Sequence, residues 1–243
     1  MKPFLLLATR AEDLPADEEY ALFLRFTGLA EHQLVRRRLE AEPLGEIDLD
    51  DWSGIFVGGG PFNASDPVER KSAVQQRVEA EISALLDEVV ARDFPFFGAC
   101  YGIGTVGAHE GAVIDGTHRE PISVIEVTRT PEGAVDPLLR SLPDAFTAFV
   151  GHKEAITVLP PSATLLVRGE ACPVQMFRVG QNVYATQFHP ELDVDGITTR
   201  ILAYADHGYF AADELDLTLA AVRRLPVTHT GAILRAFTER YTR

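Results

Sequence analysis

Phe94-Pro95-Phe96-Phe97-Gly98-Ala99-Cys100-Tyr101-Gly102 is an apolar run that ends on a cysteine set between two glycines. An apolar run of this length bounded by glycine reads as a buried strand. The small residues that follow, to about position 110, resume as a helix. Strand, Gly-x-Cys-x-Gly and helix in that order describe a sharp strand-to-helix elbow with a thiol at its tip. The glycines suit such an elbow because the tight turn leaves no room for Cβ atoms. The cysteine then sits at a helix amino terminus, where the helix dipole favours a thiolate. A buried inert cysteine fits Cys100 taken alone; the strand, both glycines and the helix together favour a nucleophile.

Outward from the elbow, strands and helices alternate. Phe4 to Ala8 is a first strand, Tyr20 to Ala30 has helical spacing with Gly28 near its end, and Gln33 to Leu39 is a second strand. Gly54 to Val57 is a third, stopping at Gly58-Gly59-Gly60-Pro61. Val74, Val78, Ile82, Leu85, Leu86, Val89 and Val90 form one helical stripe, for which Asp66, Pro67 and Glu69 supply a starting signal. This alternation is the signature of a mostly parallel sheet with helices on both faces. From Pro121 to Gln187 short strands recur, at Ile122 to Val127, Phe146 to Val150, Ala155 to Leu159, Leu165 to Val167, Val174 to Val179 and Val183 to Gln187. They read as hairpins added to the main sheet. After residue 192 helical spacing returns (Ile233, Leu234, Phe237, Tyr241), which reads as helical cover for the sheet edge. No linker interrupts the chain, so the expectation is one domain over 1–243, with a core over 1–192 and a helical extension over 193–243.

Composition narrows the function. Of 243 residues 46% are hydrophobic, enough for a sizeable core, and 36 acidic against 22 basic residues make a formal charge of −14. That charge argues against a nucleic-acid partner. Arg36-Arg37-Arg38 is too short a basic run to change this and reads as a solvated face. Two cysteines, Cys100 and Cys172, do not make a disulfide scaffold, so a reducing compartment is favoured and Cys172 reads as a small core residue. No run approaches a membrane span and the amino terminus lacks a signal-peptide core, so the expected location is the cytoplasm. His32, His109, His118, His207 and His229 have no ligand spacing, so neither metal nor cofactor is implied.

Two further stretches complete a site. Thr186-Gln187-Phe188-His189-Pro190-Glu191 ends a strand, and residues two apart in extended chain point the same way, so Glu191 can orient His189 as a base for the thiol. The glycine loop can aim backbone N–H groups into the same site, although alone it is as well read as an ordinary connection. Strand ends of an α/β sheet share one edge, so the three stretches can converge there.

Gly-Gly-Pro at 59–61, Gly-Ala-Cys-Tyr-Gly at 98–102 and Gln-Phe-His-Pro-Glu at 187–191 together resemble the class I glutamine amidotransferase family, above all the glutaminase domain of GMP synthase and stand-alone proteins like it. The resemblance covers about residues 1–192. It implies a flavodoxin-like α/β fold with a mixed, mostly parallel sheet flanked by helices. It implies hydrolysis of the glutamine side-chain amide through a cysteinyl thioester, with Cys100 as nucleophile, His189 as general acid/base and Glu191 orienting it. The N–H groups of Gly60 and Tyr101 would form the oxyanion hole, and His152, Lys153 and Glu154 would fall in the glutamine-binding segment. The ammonia would serve a biosynthetic amination on a separate synthetase, for which the 52 residues after Glu191 are too few. The family pattern Cys-x-Gly-x-Gln is broken by Gly104, which offers no side chain and leaves room beside the thiol. That keeps open hydrolysis of larger γ-glutamyl amides or peptides; a non-catalytic regulatory homologue is the remaining alternative.

Overall fold

The computed structural model describes residues 2–204 and 214–243, so His207 to Phe210 lie outside the described residues. A nine-stranded sheet organises them. In chain order its first four parallel strands are β1 (Phe4–Ala8), β2 (Leu34–Arg38), β3 (Gly54–Val57) and β4 (Phe96–Ala99). All five residues of β1 are buried, because it lies between β2 and β3 with both sheet faces covered. Leu5 and Leu7 pack on one face against α2 (Ala73–Ala91), through Val78, Ile82 and Leu86. Phe4 and Leu6 pack on the other against α1 (Asp13–Thr27), through Phe23. Gly28 ends α1 in the left-handed conformation, with φ 74°.

The start of α2 departs from the sequence signal at Asp66-Pro67-Glu69. Val68–Arg70 form only a 3-10 turn, and Ser72, whose hydroxyl accepts from the Gln75 N–H at 3.1 Å, caps the helix. Ser72-x-x-Gln75 is itself a capping sequence, and lies next to the first helical residue. Val74, counted in the apolar stripe, is exposed for the same reason: it falls in the first turn, before the helix meets the sheet. Arg36 and Arg38, on the edge strand β2, pair with Asp17 and Asp13 at the surface.

After α3 (Tyr101–His109) come β5 (Val113–Asp115), β6 (Glu120–Arg129), the short α4 (Pro131–Val135), β7 (Ala145–His152), β8 (Ala155–Val158), β9 (Ala163–Gly169), β10 (Met176–Val179) and β11 (Val183–Thr186). The main sheet runs β2-β1-β3-β4-β11-β10-β9-β6-β7. Its first five strands are parallel, in the flavodoxin-like order, and the last four are antiparallel. Two strands differ from the reading as added hairpins. β11 belongs to the parallel set, paired with β4 from Val183↔Phe96 to Thr186↔Ala99. β8 leaves the main sheet to pair with β5, a strand with no clear sequence signal.

Helices α5 (Val194–Ala203), α6 (Leu215–Val222) and α7 (Gly231–Tyr241) follow. The tail does two things: Val222 of α6 packs with Phe149 of the edge strand β7, and Thr147 of β7 donates to Pro226 O, while α7 lies elsewhere. The Phe237 ring of α7 lies 5.1 Å from Phe56 and 5.6 Å from Phe97, over the middle of the parallel strands. Ile233, Leu234 and Phe237 are fully buried there, in one cluster with Phe4, Leu6, Phe56 and Phe97 of the parallel strands. Among the described residues no helix is long and apolar enough to cross a membrane.

Candidate active site

The carboxyl ends of β1, β3, β4 and β11 converge on one edge, carrying Thr9-Arg10, Gly58-Gly59-Gly60, Cys100 and Gln187-Phe188-His189. Cys100 has φ 51° and ψ −93°; among the described non-glycine residues only it and Asp93 have positive φ. Such a conformation is strained for a residue with a Cβ and persists only when its surroundings dictate it. They do: the Cys100 N–H donates to Thr186 O at 2.8 Å, and its carbonyl accepts from Ile103 N at 3.0 Å. A Cβ on Gly98 would lie 2.7 Å from the backbone carbon and oxygen of Gly102. The elbow closes only with hydrogen at Gly98, and it sets the thiol at the amino terminus of α3.

His189 is held from β7 by its N–H, which donates to Phe149 O at 2.9 Å. Its Nδ1 lies 2.7 Å from Glu191 Oε1, with the carboxylate fully buried. Burial by itself lowers the imidazolium pKa. The charge of Glu191, and Cys100 within hydrogen-bonding range, outweigh it and raise His189 to about 9. Burial by itself raises Glu191, but His189 and Arg200 bring it down to about 2.

The glycine loop is dictated by side chains that crowd it. A Cβ at Gly58 would meet Glu19 Oε2 at 2.6 Å, at Gly59 Arg10 Nη2 at 2.7 Å, and at Gly60 Thr9 Oγ1 at 2.1 Å. Gly60 and Tyr101 line one cleft with Cys100 and with the segment Gly151 to Ile156. In that segment His152 is buried with both ring nitrogens engaged, Nδ1 donating to Glu154 O at 2.8 Å and Nε2 at 2.9 Å from Glu120 Oε2. Lys153 is exposed at the rim. The Glu154 carboxylate accepts from the N–H groups of Ala64 and Ser65 at 2.7 and 2.8 Å. The room inferred beside Gly104 is filled, since a Cβ there would lie 3.2 Å from Glu154 Oε1 and 3.3 Å from Ala64 Cβ.

Sequence patterns missed a set of charges behind the histidine. Arg10 Nε donates to Glu19 Oε1 at 3.1 Å, and Arg200 Nη2 donates to the same oxygen at 2.9 Å. Arg200 Nη1 reaches Glu191 Oε1 at 3.1 Å. Arg10 also donates to the Tyr204 hydroxyl at 3.2 Å, and that hydroxyl donates to Glu12 at 2.9 Å. These residues belong to no motif; the one available signal is that Arg10 stands just past a buried strand, at the edge where α/β sheets place their sites. A second buried group, Glu120, His152 and Cys172, has ligand-type atoms within 4.8 Å of one another. Burial and the charge of Glu120 push the Cys172 thiol up to about 12, so it is an unreactive thiol.

Comparisons with known proteins point to one family. A glutamine-hydrolysing GMP synthase subunit of Thermococcus kodakarensis is 27% identical over 168 residues, covering 68% of this chain and 75% of that protein. The GMP synthase of Salmonella typhimurium is 26% identical over 180 residues, 66% of this chain but only 31% of that larger protein. A solved glutamine amidotransferase from Thermotoga maritima shares the fold, with a TM-score of 0.77 at 21% identity over 99% of this chain and 98% of that one. The sequence profile of the family described as Glutamine amidotransferase class-I matches residues 26–204, and with the elbow and the converging strand ends this places the chain in the class I glutamine amidotransferase family.

Proposed function

We propose that this protein hydrolyses the side-chain amide of glutamine with a Cys100–His189–Glu191 triad and hands the ammonia to a separate synthetase. The observation that carries it is the 2.7 Å contact of His189 Nδ1 with the buried Glu191 carboxylate, in a ring that also has the elbow thiol in hydrogen-bonding range. A proton on Nδ1, directed at Glu191, leaves Nε2 to take the thiol proton. The Cys100 thiolate attacks the amide carbon, and the N–H groups of Gly60 and Tyr101 receive the developing oxyanion. His189 protonates the departing nitrogen, ammonia leaves, and a glutamyl thioester remains. His189 then takes a proton from water, hydroxide displaces the thiolate, and glutamate is released. Gly151, Lys153 and Glu154 border the cleft where the amino-acid end of glutamine would lie, and His152 shapes that segment from behind. The separate synthetase is suggested by relatives that are subunits of GMP synthase.

A second cleft favours one alternative substrate. It opens on Cys100 from the His189 side and is bordered by Arg10, Ile122, Ile197 and Tyr204, so a substituent on the leaving nitrogen of a γ-glutamyl amide could occupy it. The deciding experiment measures ammonia release from glutamine beside glutamate release from γ-glutamyl peptides, with Cys100→Ala as control. Ammonia release that survives Cys100→Ala refutes the thiol mechanism; release from peptides alone replaces glutamine as substrate.

A further inference from the structure

The triad is the near end of a longer line of charge. From the far end it reads Arg10, Glu19, Arg200, Glu191, His189, and each link is a contact of 2.7 to 3.1 Å. The signs alternate, and the line ends beside Cys100. We propose that Glu19 and Arg200, supported by Arg10, are positioning residues that set the working pH range of the Cys100–His189 pair; this rests on the triad function above.

Three observations carry it. First, the residues come from three separate elements, the end of β1, α1 and α5, and all are almost fully buried. A fold in need of packing alone is served as well by apolar side chains, since buried ion pairs contribute little net stability. Second, single oxygens are shared. Glu19 Oε1 takes both arginines, and Glu191 Oε1 takes both Arg200 and His189, so moving any member moves the imidazole. Third, Arg200 Nη1 also lies 3.0 Å from His189 Nδ1. With Nδ1 protonated toward Glu191 both atoms are donors, so this is a repulsive contact that opposes the imidazolium. Arg200 therefore grips the carboxylate while holding the imidazolium in check, and Glu19 moderates the second effect. The remaining groups that face this line are Cys100 from the start of α3, Tyr204 with Glu12 behind Arg10, and Glu18 of α1 near Arg200. The glycine loop is shaped to admit the line, since side chains at Gly58 and Gly59 would strike Glu19 and Arg10.

The signs make opposite forecasts for the two ends. Glu19→Gln keeps the shape and removes a negative charge, which favours thiolate and disfavours imidazolium. Both limbs of the pH–rate curve then move to lower pH. Arg200→Gln removes a positive charge, keeps a donor for Glu191, and moves both limbs to higher pH. A unit charge one or two contacts away in a protein interior shifts a pKa by about one unit. The double variant returns the limbs close to their original places, and Arg200→Lys keeps them there.

The experiment records pH profiles of ammonia release, and of Cys100 alkylation with iodoacetamide, for these four variants, with melting temperature measured alongside. Opposite shifts of about one unit that cancel in the double variant support the proposal. Unmoved limbs with a uniformly lower rate show a structural role only and overturn it. Where Arg200→Gln does not fold, the downward shift in Glu19→Gln decides. Ammonia release that persists in Cys100→Ala would instead remove the underlying triad, so the two failures are distinct.

Discussion

Replacing Glu191 by Gln tests the electrostatic core of the site with almost no change of shape. The amide oxygen of Gln can still accept from His189 Nδ1, so the ring keeps its tautomer and place; only the charge goes. In the native site that charge, with Cys100, lifts His189 from 6.5 to about 9 against the opposing pull of burial. Without it, burial acts downward against the remaining pull of Cys100, and the imidazolium pKa falls from about 9. At pH 8 about nine-tenths of native molecules hold the imidazolium that the leaving nitrogen needs; loss of a contacting buried charge, a shift of about two units, leaves roughly a tenth. Activity at pH 8 should therefore fall roughly tenfold, while at pH 6 the two proteins should differ little. The assay is kcat and kcat/KM for ammonia release from pH 5 to 10. A Glu191→Gln protein that is slower by one constant factor at every pH, with its basic limb unmoved, would refute this account of the carboxylate. His189→Ala, with no imidazole to restore, should be crippled across the whole range by ~100- to 10,000-fold.

Three other outcomes are expected. A glutamine-derived electrophile should label Cys100 and spare Cys172, whose thiol is buried and raised to about 12; peptide mass spectrometry showing Cys172 labelled would overturn the assignment of the nucleophile. Gly98→Ala should destabilise the fold by about 2–3 kcal/mol, because the new methyl meets the Gly102 backbone at 2.7 Å and backbone cannot step aside. That corresponds to a melting temperature lower by roughly 5–10 °C, and an unchanged value would mean that the elbow has slack. Gly104→Gln should raise the KM for glutamine, since its side chain must displace Glu154 from the Ala64 and Ser65 N–H groups; a lower KM would show that the cleft welcomes the amide.

Much of this molecule was legible as short-range pattern. The unbroken apolar runs at Phe4 to Ala8 and Phe94 to Ala99 declare strands buried on both faces, and the glycines around Cys100 declare the elbow, because both are demands a few adjacent residues place on the chain. His189 and Glu191 stand two apart, so their contact was also a local matter, though a turn past the end of β11 makes it and not the extended spacing read from the sequence. Where tertiary structure decided, the cause was always a partner distant in sequence. The run Val183 to Thr186 looks the same whether it closes a hairpin or joins the parallel set; only pairing with β4 brings His189 beside the thiol. The sequence signal for the start of α2 lies at Asp66-Pro67-Glu69, but the chain makes only a 3-10 turn there and the helix is capped at Ser72. Gly104 reads as a hole until the fold puts Glu154 there, from 50 residues further on. Arg10, Glu19 and Arg200 carry no pattern at all. A charged residue in sequence reads as exposed, because burying it alone costs too much; only the fold supplies the opposite charges, at separations of up to 181 residues, that make burial tolerable.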